Sequence, residues 1–267
     1  MITWVNGKPQ DSIGLADRGL AYGDGLFETI KVKDGQPVRL ALHLQRLEQG
    51  CKRLGMAVDI ALLTAEILEF CQASNAEVCK LILTRGEGPR GYAVPEQPQI
   101  QRILIASSLP NWPAAHAEQG VKLFPCSTRL SIQPRLAGMK HLNRLEQVLA
   151  RAEWQDPAYA EGLMLDMQER ITDCVFSNIF FVRKGILITP ALADCGVAGV
   201  TRAYIFQLAL ELNVECIEAE LGLQDLQGMD EVFVCNSLYG IWPVRSFESF
   251  SWQPGEITRR LQSMLAD

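Results

Sequence analysis

The chain has 267 residues and a formal net charge of −6. A chain of this length holds one large domain or two modest ones. No run of lysine and arginine accompanies the acidic balance, which argues against nucleic acid or an acidic membrane as the main partner. No apolar stretch reaches membrane-spanning length, and the first residues lack the basic and apolar pattern of a signal peptide.

The cysteines and histidines indicate where the protein works and what it does not bind. The 8 cysteines contain no Cys-x-x-Cys pair, and most lie inside apolar runs. This usage is typical of buried thiols in a reducing cytoplasm, so we expect a cytoplasmic protein without a disulfide framework. The 3 histidines show no zinc spacing, and no metal is predicted.

The first part of the chain mixes hairpins with helices. The turn sequence Asn6-Gly7 predicts one hairpin, and Asp34-Gly35 predicts a second. Three glycines within residues 17–25 predict an irregular loop between them. In chain order we predict hairpins over 2–10 and 29–40, helices over 40–54 and 60–72, and strands over 78–84 and 102–107.

Residues 108–118 contain two prolines and no periodicity, so they predict an interdomain linker. The expected domains are therefore a smaller N-terminal one over 1–107 and a larger C-terminal one over 119–267. In the latter we predict strands over 120–126, 162–166, 178–182, 186–189, 214–218 and 231–235, and helices over about 142–154, 202–212 and 253–267. Strands and helices do not alternate regularly, which favours two α+β domains over a doubly wound sheet.

Lys140 is the first candidate functional residue. It lies where an irregular run containing Gly138 gives way to a helical pattern with Leu142, Leu145 and Leu149 on one stripe. A rigidly held and partly desolvated lysine has a lowered pKa, and its neutral amine can attack a carbonyl. From these residues alone, a solvated surface lysine is the simpler interpretation.

Two glycine-bearing loops are candidates for holding phosphate. Residues 196–202 open a predicted helix, whose free N–H groups and dipole favour an anion; residues 236–240 form a polar loop after a strand. Ordinary capping and turn chemistry explains both loops equally well. Together with Lys140 and with Asp173, a carboxylate just before a core strand, they match what pyridoxal phosphate requires.

The chain resembles the fold-type IV pyridoxal-phosphate family over nearly its whole length. The resemblance rests on residues 17–29 (Asp-Arg-Gly-Leu-Ala-Tyr-Gly-Asp-Gly-Leu-Phe-Glu-Thr), on His43-Leu-Gln-Arg46 and on the blocks 178–180, 187–189 and 197–202. Around the lysine, residues 136–148 resemble the lyase branch, as does Arg90-Gly91-Tyr92. The resemblance implies a homodimer that uses pyridoxal phosphate to eliminate pyruvate from 4-amino-4-deoxychorismate, giving p-aminobenzoate for folate.

The same resemblance implies roles for individual residues. Lys140 would carry the cofactor and act as general base, and Thr29 would assist proton transfer. The remaining assignments are Arg46, Asp173, Val200, Thr201, Asn236 and Ser237 for the cofactor, and Arg90 and Tyr92 for the substrate carboxylates. Asp173 departs from the glutamate usual in the family. An aminotransferase acting on D- or branched-chain amino acids is the alternative; a non-catalytic relative would be expected to lack Lys140.

Overall fold

The computed structural model describes residues 2–265, and the chain divides into two compact units. The first comprises Met1–Pro110 with Met139–Asn143, and the second comprises Asn111–Gly138 with Arg144–Asp267. Each unit combines helices with one sheet, so the predicted α+β class is confirmed. Within the described residues, no helix combines the length and apolarity needed to span a bilayer.

The first unit is built on a six-stranded antiparallel sheet. Its elements are β1 (Thr3–Val5), β2 (Lys8–Pro9), α1 (Arg18–Tyr22), β3 (Gly25–Lys33), β4 (Gln36–Pro37), α2 (Leu40–Leu54), α3 (Ile60–Ser74), β5 (Val78–Thr84) and β6 (Gln101–Ser107). The strand order is β2-β1-β6-β5-β3-β4. Both predicted hairpins are present, and α2 ends at the predicted residue, where Gly55 adopts φ 65°.

Residues 17–25 are not the loop we predicted, because helix α1 forms within them. The Asp17 side chain accepts hydrogen bonds from the backbone of Gly19 and Leu20, which caps this short helix. Strand β3 then begins at Gly25, four residues earlier than expected.

The side chains of β3 alternate between the two faces of the first sheet. Leu26, Glu28 and Ile30 are buried on the face that α2 covers, while Phe27 and Thr29 point to the other face and are half-buried. Gly50 permits the close approach of α2, because a Cβ there would lie 2.8 Å from Leu26 Cδ1.

The second unit is built on a nine-stranded mixed sheet. Its elements are α4 (Ala115–Gln119), β7 (Val121–Leu130), α5 (Leu145–Ala152), β8 (Tyr159–Asp166), β9 (Ile171–Cys174), β10 (Asn178–Arg183), β11 (Ile186–Pro190), α6 (Val200–Glu211), β12 (Cys216–Ala219), a 3-10 helix (Leu223–Gly228), β13 (Glu231–Asn236), β14 (Gly240–Phe247), β15 (Phe250–Ser251) and α7 (Glu256–Leu265). The strand order is β12-β11-β10-β13-β14-β7-β8-β9, and β15 pairs with β14.

Strand β14, which the sequence analysis missed, lies in the middle of this sheet. It pairs antiparallel with β13 and parallel with β7. One apolar cluster, containing Phe181, Val234 and Trp242, fills one side of the sheet. On the other side, α6 and α7 cover a second cluster around Phe180 and Phe233, whose rings stack with centroids 5.1 Å apart.

The segment around Lys140 differs from the prediction in two ways. By its contacts it belongs to the first unit, not to the C-terminal part of the chain, because the Lys140 carbonyl accepts the Phe27 N–H at 2.9 Å and His141 bridges to Leu26. The predicted helix over 142–154 begins only at Leu145. Two leucines of the predicted stripe are exposed, Leu145 at 75% and Leu149 at 61%.

Candidate active site

Lys140 is held over β3 of the first unit. The backbone of Leu142 donates to the Gly25 carbonyl at 3.1 Å, so residues on both sides of the lysine are tied to this strand. The Lys140 ammonium lies 4.4 Å from the centroid of the Phe27 ring, a cation–π distance. Thr29 follows two residues later on the same face of β3, so the two predicted catalytic residues belong to the same unit.

Arg46 is fixed by a buried carboxylate that the sequence analysis did not assign. Glu28 is 1% exposed and accepts from Arg46 Nε at 2.8 Å and from Arg46 Nη2. The Glu28 Oε2 also lies 2.6 Å from His43 Nδ1, where the imidazole N–H donates. Burial opposes ionisation of Glu28, but the Arg46 charge and the hydrogen bonds from His43 and Arg46 outweigh it and lower the pKa to about 2.

His43 is the neutral member of this group. Burial lowers the pKa of its imidazole, although its hydrogen bond to Glu28 acts in the opposite direction, and the charges of Arg46 and Lys140 lower it further. The fork of Arg46 is therefore held by one ionised carboxylate, with the imidazole of His43 supporting that carboxylate from the side. Such a bidentate pair fixes the orientation of a guanidinium.

In the second unit, the carboxylate of Asp173 is part of a buried hydrogen-bond network. Its Oδ1 accepts from Asn178 Nδ2 at 2.5 Å and its Oδ2 from the Val197 backbone at 2.7 Å. Burial raises the pKa of Asp173 to about 7, opposed by the Val197 N–H and then by the positive charge of Arg202. Burial thus makes Asp173 a weaker acid than an exposed aspartate.

Asn178 connects Asp173 to the start of α6. Besides donating to Asp173, it donates to the Val197 carbonyl at 2.8 Å and accepts the Gly199 N–H at 3.0 Å. Gly199 is required by this close approach, because a Cβ there would lie 2.0 Å from Asn178 Oδ1. Asn178 stands in the family-like block over 178–180, a signal that could have identified it as a site residue.

The first turn of α6 fits an anion. Gly199 precedes the helix and supplies no side-chain cap, so the N–H groups of the first turn and the helix dipole are available to a negative group. Thr201 is 2% exposed, and its Oγ1 has no hydrogen-bond partner among residues 2–265. Buried hydroxyls normally have a partner. This orphaned hydroxyl fits the predicted phosphate group, together with the backbone of Val200 and Thr201.

Asn236 lies beside this cluster, since Cys235 pairs with Asn178 in the register of β13 and β10. Asn236 Oδ1 accepts from the backbone of Leu238 at 3.0 Å and of Tyr239 at 3.1 Å. That oxygen therefore stabilises the turn that follows Asn236 in the chain. Ser237 is half-buried in the same loop.

A second buried carboxylate holds the loop between Asp173 and Asn178. Glu161 is 0% exposed and accepts from the backbone of Val175 at 3.1 Å and from Ser177 Oγ at 2.6 Å. The Ser177 hydroxyl also lies 2.6 Å from Tyr239 Oη. Burial raises the pKa of Glu161 to about 8, against hydrogen bonds that lower it. This network was not predicted.

The predicted substrate residues Arg90 and Tyr92 are exposed. The backbone of their loop is nevertheless fixed. Arg18 donates to the carbonyls of Gly91 at 3.0 Å and Tyr92 at 3.3 Å. Tyr92 also contacts the Tyr22 ring edge-on.

The sequence and the fold match known proteins. The family model described as Amino-transferase class IV matches residues 25–247. The chain therefore belongs to the class IV aminotransferase family, and the expected family is confirmed.

Comparison with individual relatives narrows the similarity to particular enzymes of this family. The chain is 37% identical to an aminodeoxychorismate lyase of Vibrio harveyi, over 98% of both chains. It is also similar to the crystal structure of 4-amino-4-deoxychorismate lyase from Pseudomonas aeruginosa, with 53% identity, a TM-score of 0.97 and coverage of 99% and 98% of the two chains. The branched-chain amino acid aminotransferase of Escherichia coli is more distant, at 27% identity and a TM-score of 0.86 over 98% and 92%.

Proposed function

We propose that this protein is a pyridoxal-phosphate-dependent lyase that converts 4-amino-4-deoxychorismate to p-aminobenzoate and pyruvate, a step that supplies folate biosynthesis. The observation that carries the proposal is the 53% identity, over 99% of the chain, to the lyase of Pseudomonas aeruginosa. The lysine segment over 136–148, which resembles the lyase branch, supports the same choice.

The residues on each unit fit the cofactor. The orphaned Thr201 hydroxyl and the uncapped first turn of α6, with Val200, suit its phosphate. Asp173 suits its ring nitrogen, and Arg46 a further phosphate contact. Asn236 and Ser237 remain candidates for the phosphate end. When bound, pyridoxal phosphate supplies a carbonyl that an amine can attack and a ring that delocalises a carbanion.

Lys140 is proposed to hold the cofactor and then to move the proton of the reaction. Its neutral amine removes the proton from the ring carbon C4 of the substrate, next to the amine. The enolpyruvyl ether at the neighbouring carbon then leaves as pyruvate, and the ring becomes aromatic. The hydroxyl of Thr29, on the same face of β3, is proposed to pass a proton to the leaving fragment.

Asp173 is proposed to keep the ring nitrogen protonated. Its carboxylate is already held by Asn178 and by the Val197 N–H, so its position costs no reorganisation when charge develops. A cation at the ring nitrogen would favour its ionised form, because an opposite charge lowers a carboxyl pKa. Arg90 and Tyr92 are proposed as substrate contacts.

An aminotransferase acting on D- or branched-chain amino acids is the second candidate, favoured by the similarity to the Escherichia coli enzyme. The lyase and the aminotransferase differ in the products that they release. A lyase releases p-aminobenzoate and pyruvate from 4-amino-4-deoxychorismate, whereas an aminotransferase converts D-alanine or leucine with 2-oxoglutarate.

We also propose a cytoplasmic homodimer. The free thiols support the compartment, since seven of the eight cysteines are buried and all are unpaired. Helix α5 supports a second copy as partner, because Leu145, Val148 and Leu149 form an exposed apolar stripe on it at helical spacing.

The test uses purified protein with 4-amino-4-deoxychorismate, measuring both products. We expect equal amounts of p-aminobenzoate and pyruvate, and a loss of about 100-fold or more in Lys140→Ala. Borohydride should attach the cofactor covalently to the wild type but not to Lys140→Ala, as read by mass. Lys52→Ala, at an exposed lysine of α2, is the control. Turnover of leucine or D-alanine without p-aminobenzoate would reject the lyase.

A further inference from the structure

Three oxygen-bearing side chains form a continuous hydrogen-bonded chain in the second unit. Ser177 Oγ donates to Oε2 of the fully buried Glu161 at 2.6 Å and lies 2.6 Å from Tyr239 Oη. A hydroxyl has one proton to donate, and that of Ser177 goes to Glu161, so the Tyr239 hydroxyl donates to Ser177. The proposed reaction assigns no role to any of these three side chains.

The inner end of this chain fixes the turn over residues 174–177. The backbone N–H of the first residue of the turn donates to the carbonyl of its last residue at 2.8 Å. Glu161 accepts from the two N–H groups in the middle of the turn, at 3.1 and 3.4 Å. The turn directly follows Asp173 and directly precedes Asn178, so Glu161 holds the backbone between the two partners of the 2.5 Å hydrogen bond.

The outer end of the chain belongs to the loop over residues 236–240, which contains both remaining candidates for the phosphate end, Asn236 and Ser237. The Tyr239 backbone donates to Asn236 Oδ1 at 3.1 Å. The Tyr239 ring stacks on Trp242 with centroids 3.7 Å apart, and Trp112 packs edge-on against it at 5.7 Å. Because neighbours hold the ring on two sides, the direction of its hydroxyl is fixed.

Sheet register places the turn and the loop at the same edge of the second sheet. Asn178, the first residue of β10, pairs with Cys235, the last residue but one of β13. The turn 174–177 precedes β10 and the loop 236–240 follows β13, so both lie just beyond this pair. Past the end of the strand pairing, side chains join the two segments, and the hydrogen bond between Ser177 and Tyr239 does so directly.

We propose that Tyr239, acting through Ser177, is a positioning residue for the cofactor: it holds the loop 236–240 in a fixed place relative to the turn beside Asp173. This inference rests on the proposed function, because the cofactor is the one proposed there. A ligand with two polar ends binds best where both halves of its site are held before it arrives, since binding then orders nothing further. Loss of the Tyr239 hydroxyl should therefore reduce what the phosphate adds to affinity.

The experiment compares two ligands of the apoprotein, pyridoxal phosphate and pyridoxal, which lacks the phosphate. Absorbance titrations give both dissociation constants, and their ratio measures the contribution of the phosphate. Tyr239→Phe keeps the stacked ring and removes the hydroxyl, so it should lower this ratio about 5- to 10-fold while pyridoxal affinity changes less than about twofold. Tyr159→Phe is the matched control, at another half-buried tyrosine whose ring packs edge-on against a neighbour, and it should keep the wild-type ratio.

Ser177→Ala separates positioning from a general loosening of the fold. It should lower the ratio as Tyr239→Phe does, and the double variant should be no worse than Ser177→Ala alone, because both substitutions remove the same contact. An unchanged ratio in Tyr239→Phe overturns the proposal, as does an equal loss of affinity for both ligands. Cofactor binding by the wild type without release of p-aminobenzoate overturns the lyase assignment instead. A wild type that binds no pyridoxal phosphate overturns both.

Discussion

Asn178 donates a hydrogen bond to Asp173 at 2.5 Å and accepts one from the first residue before α6, Gly199, at 3.0 Å. One amide therefore links the carboxylate proposed for the ring nitrogen of the cofactor with the helix start proposed for its phosphate. The residues proposed for the two ends of the cofactor are therefore joined in the second unit by one side chain that was not predicted to belong to the site.

Asn178→Ala should weaken pyridoxal phosphate binding about 10-fold or more, because it leaves the Asp173 carboxylate and the Gly199 N–H without their shared partner. The measurement is a titration of the apoprotein with the cofactor, followed by absorbance. Asn111→Ala, at an exposed asparagine, should keep wild-type affinity. Cofactor affinity unchanged in Asn178→Ala would show that this link does not organise the site.

The raised pKa of Glu161 predicts that the free energy of unfolding depends on pH. Its pKa is about 8 in the folded protein, against an ordinary value of 4.5. Between these values the folded state keeps a proton that the unfolded state has lost, so its contribution to stability decreases as pH rises from about 4.5 to 8. Glu161→Gln removes this decrease. Urea unfolding at several pH values should show the wild type losing stability relative to Glu161→Gln over this range, and parallel curves would contradict the assignment.

The lowered pKa of Glu28 predicts the opposite pH dependence of stability, at acid pH. Its pKa is lowered to about 2 from 4.5, so its stabilising contribution is complete above 4.5 and is lost as pH falls towards 2. At neutral pH, Glu28→Gln should cost on the order of 3 kcal/mol in the free energy of unfolding, because it removes the buried charge that pairs with the half-buried Arg46. Glu169→Gln, which breaks the exposed pair with Arg129, is the matched control and should change little. Equal effects of the two substitutions would refute the role of Glu28.

Leu149→Arg tests the proposed homodimer. Leu149 is 61% exposed beside Leu145 and Val148, and a charge in the middle of an apolar contact is costly to desolvate. We expect a shift from dimer to monomer in sedimentation or light scattering at micromolar concentration. Leu210→Arg, at another strongly exposed leucine, should leave the dimer intact. A Leu149→Arg protein that remains dimeric would place the interface elsewhere.

Local patterns predicted several elements closely. Helix α2 was correct at both ends because its leucines keep one stripe and Gly55 adopts the left-handed conformation that stops it. Strand β5 was correct because its apolar run is bounded by polar residues. Strand β14 was missed because its Ile-Trp-Pro-Val core shows no alternation; it is buried between β13 and β7, and the latter lies over 100 residues away in sequence.

The sequence by itself determined the family, the lyase-like lysine segment and the position of Arg46 on a helix, because these depend on residue types at short spacing. Tertiary structure alone decided that Lys140 lies over the Phe27 ring of β3 and that Lys80 approaches the same ring. It also decided that Glu28 and Glu161 are buried and accept hydrogen bonds from residues distant in sequence. Strand register and burial set these relationships. Both depend on contacts between residues far apart along the chain, which periodicity and motif spacing do not record.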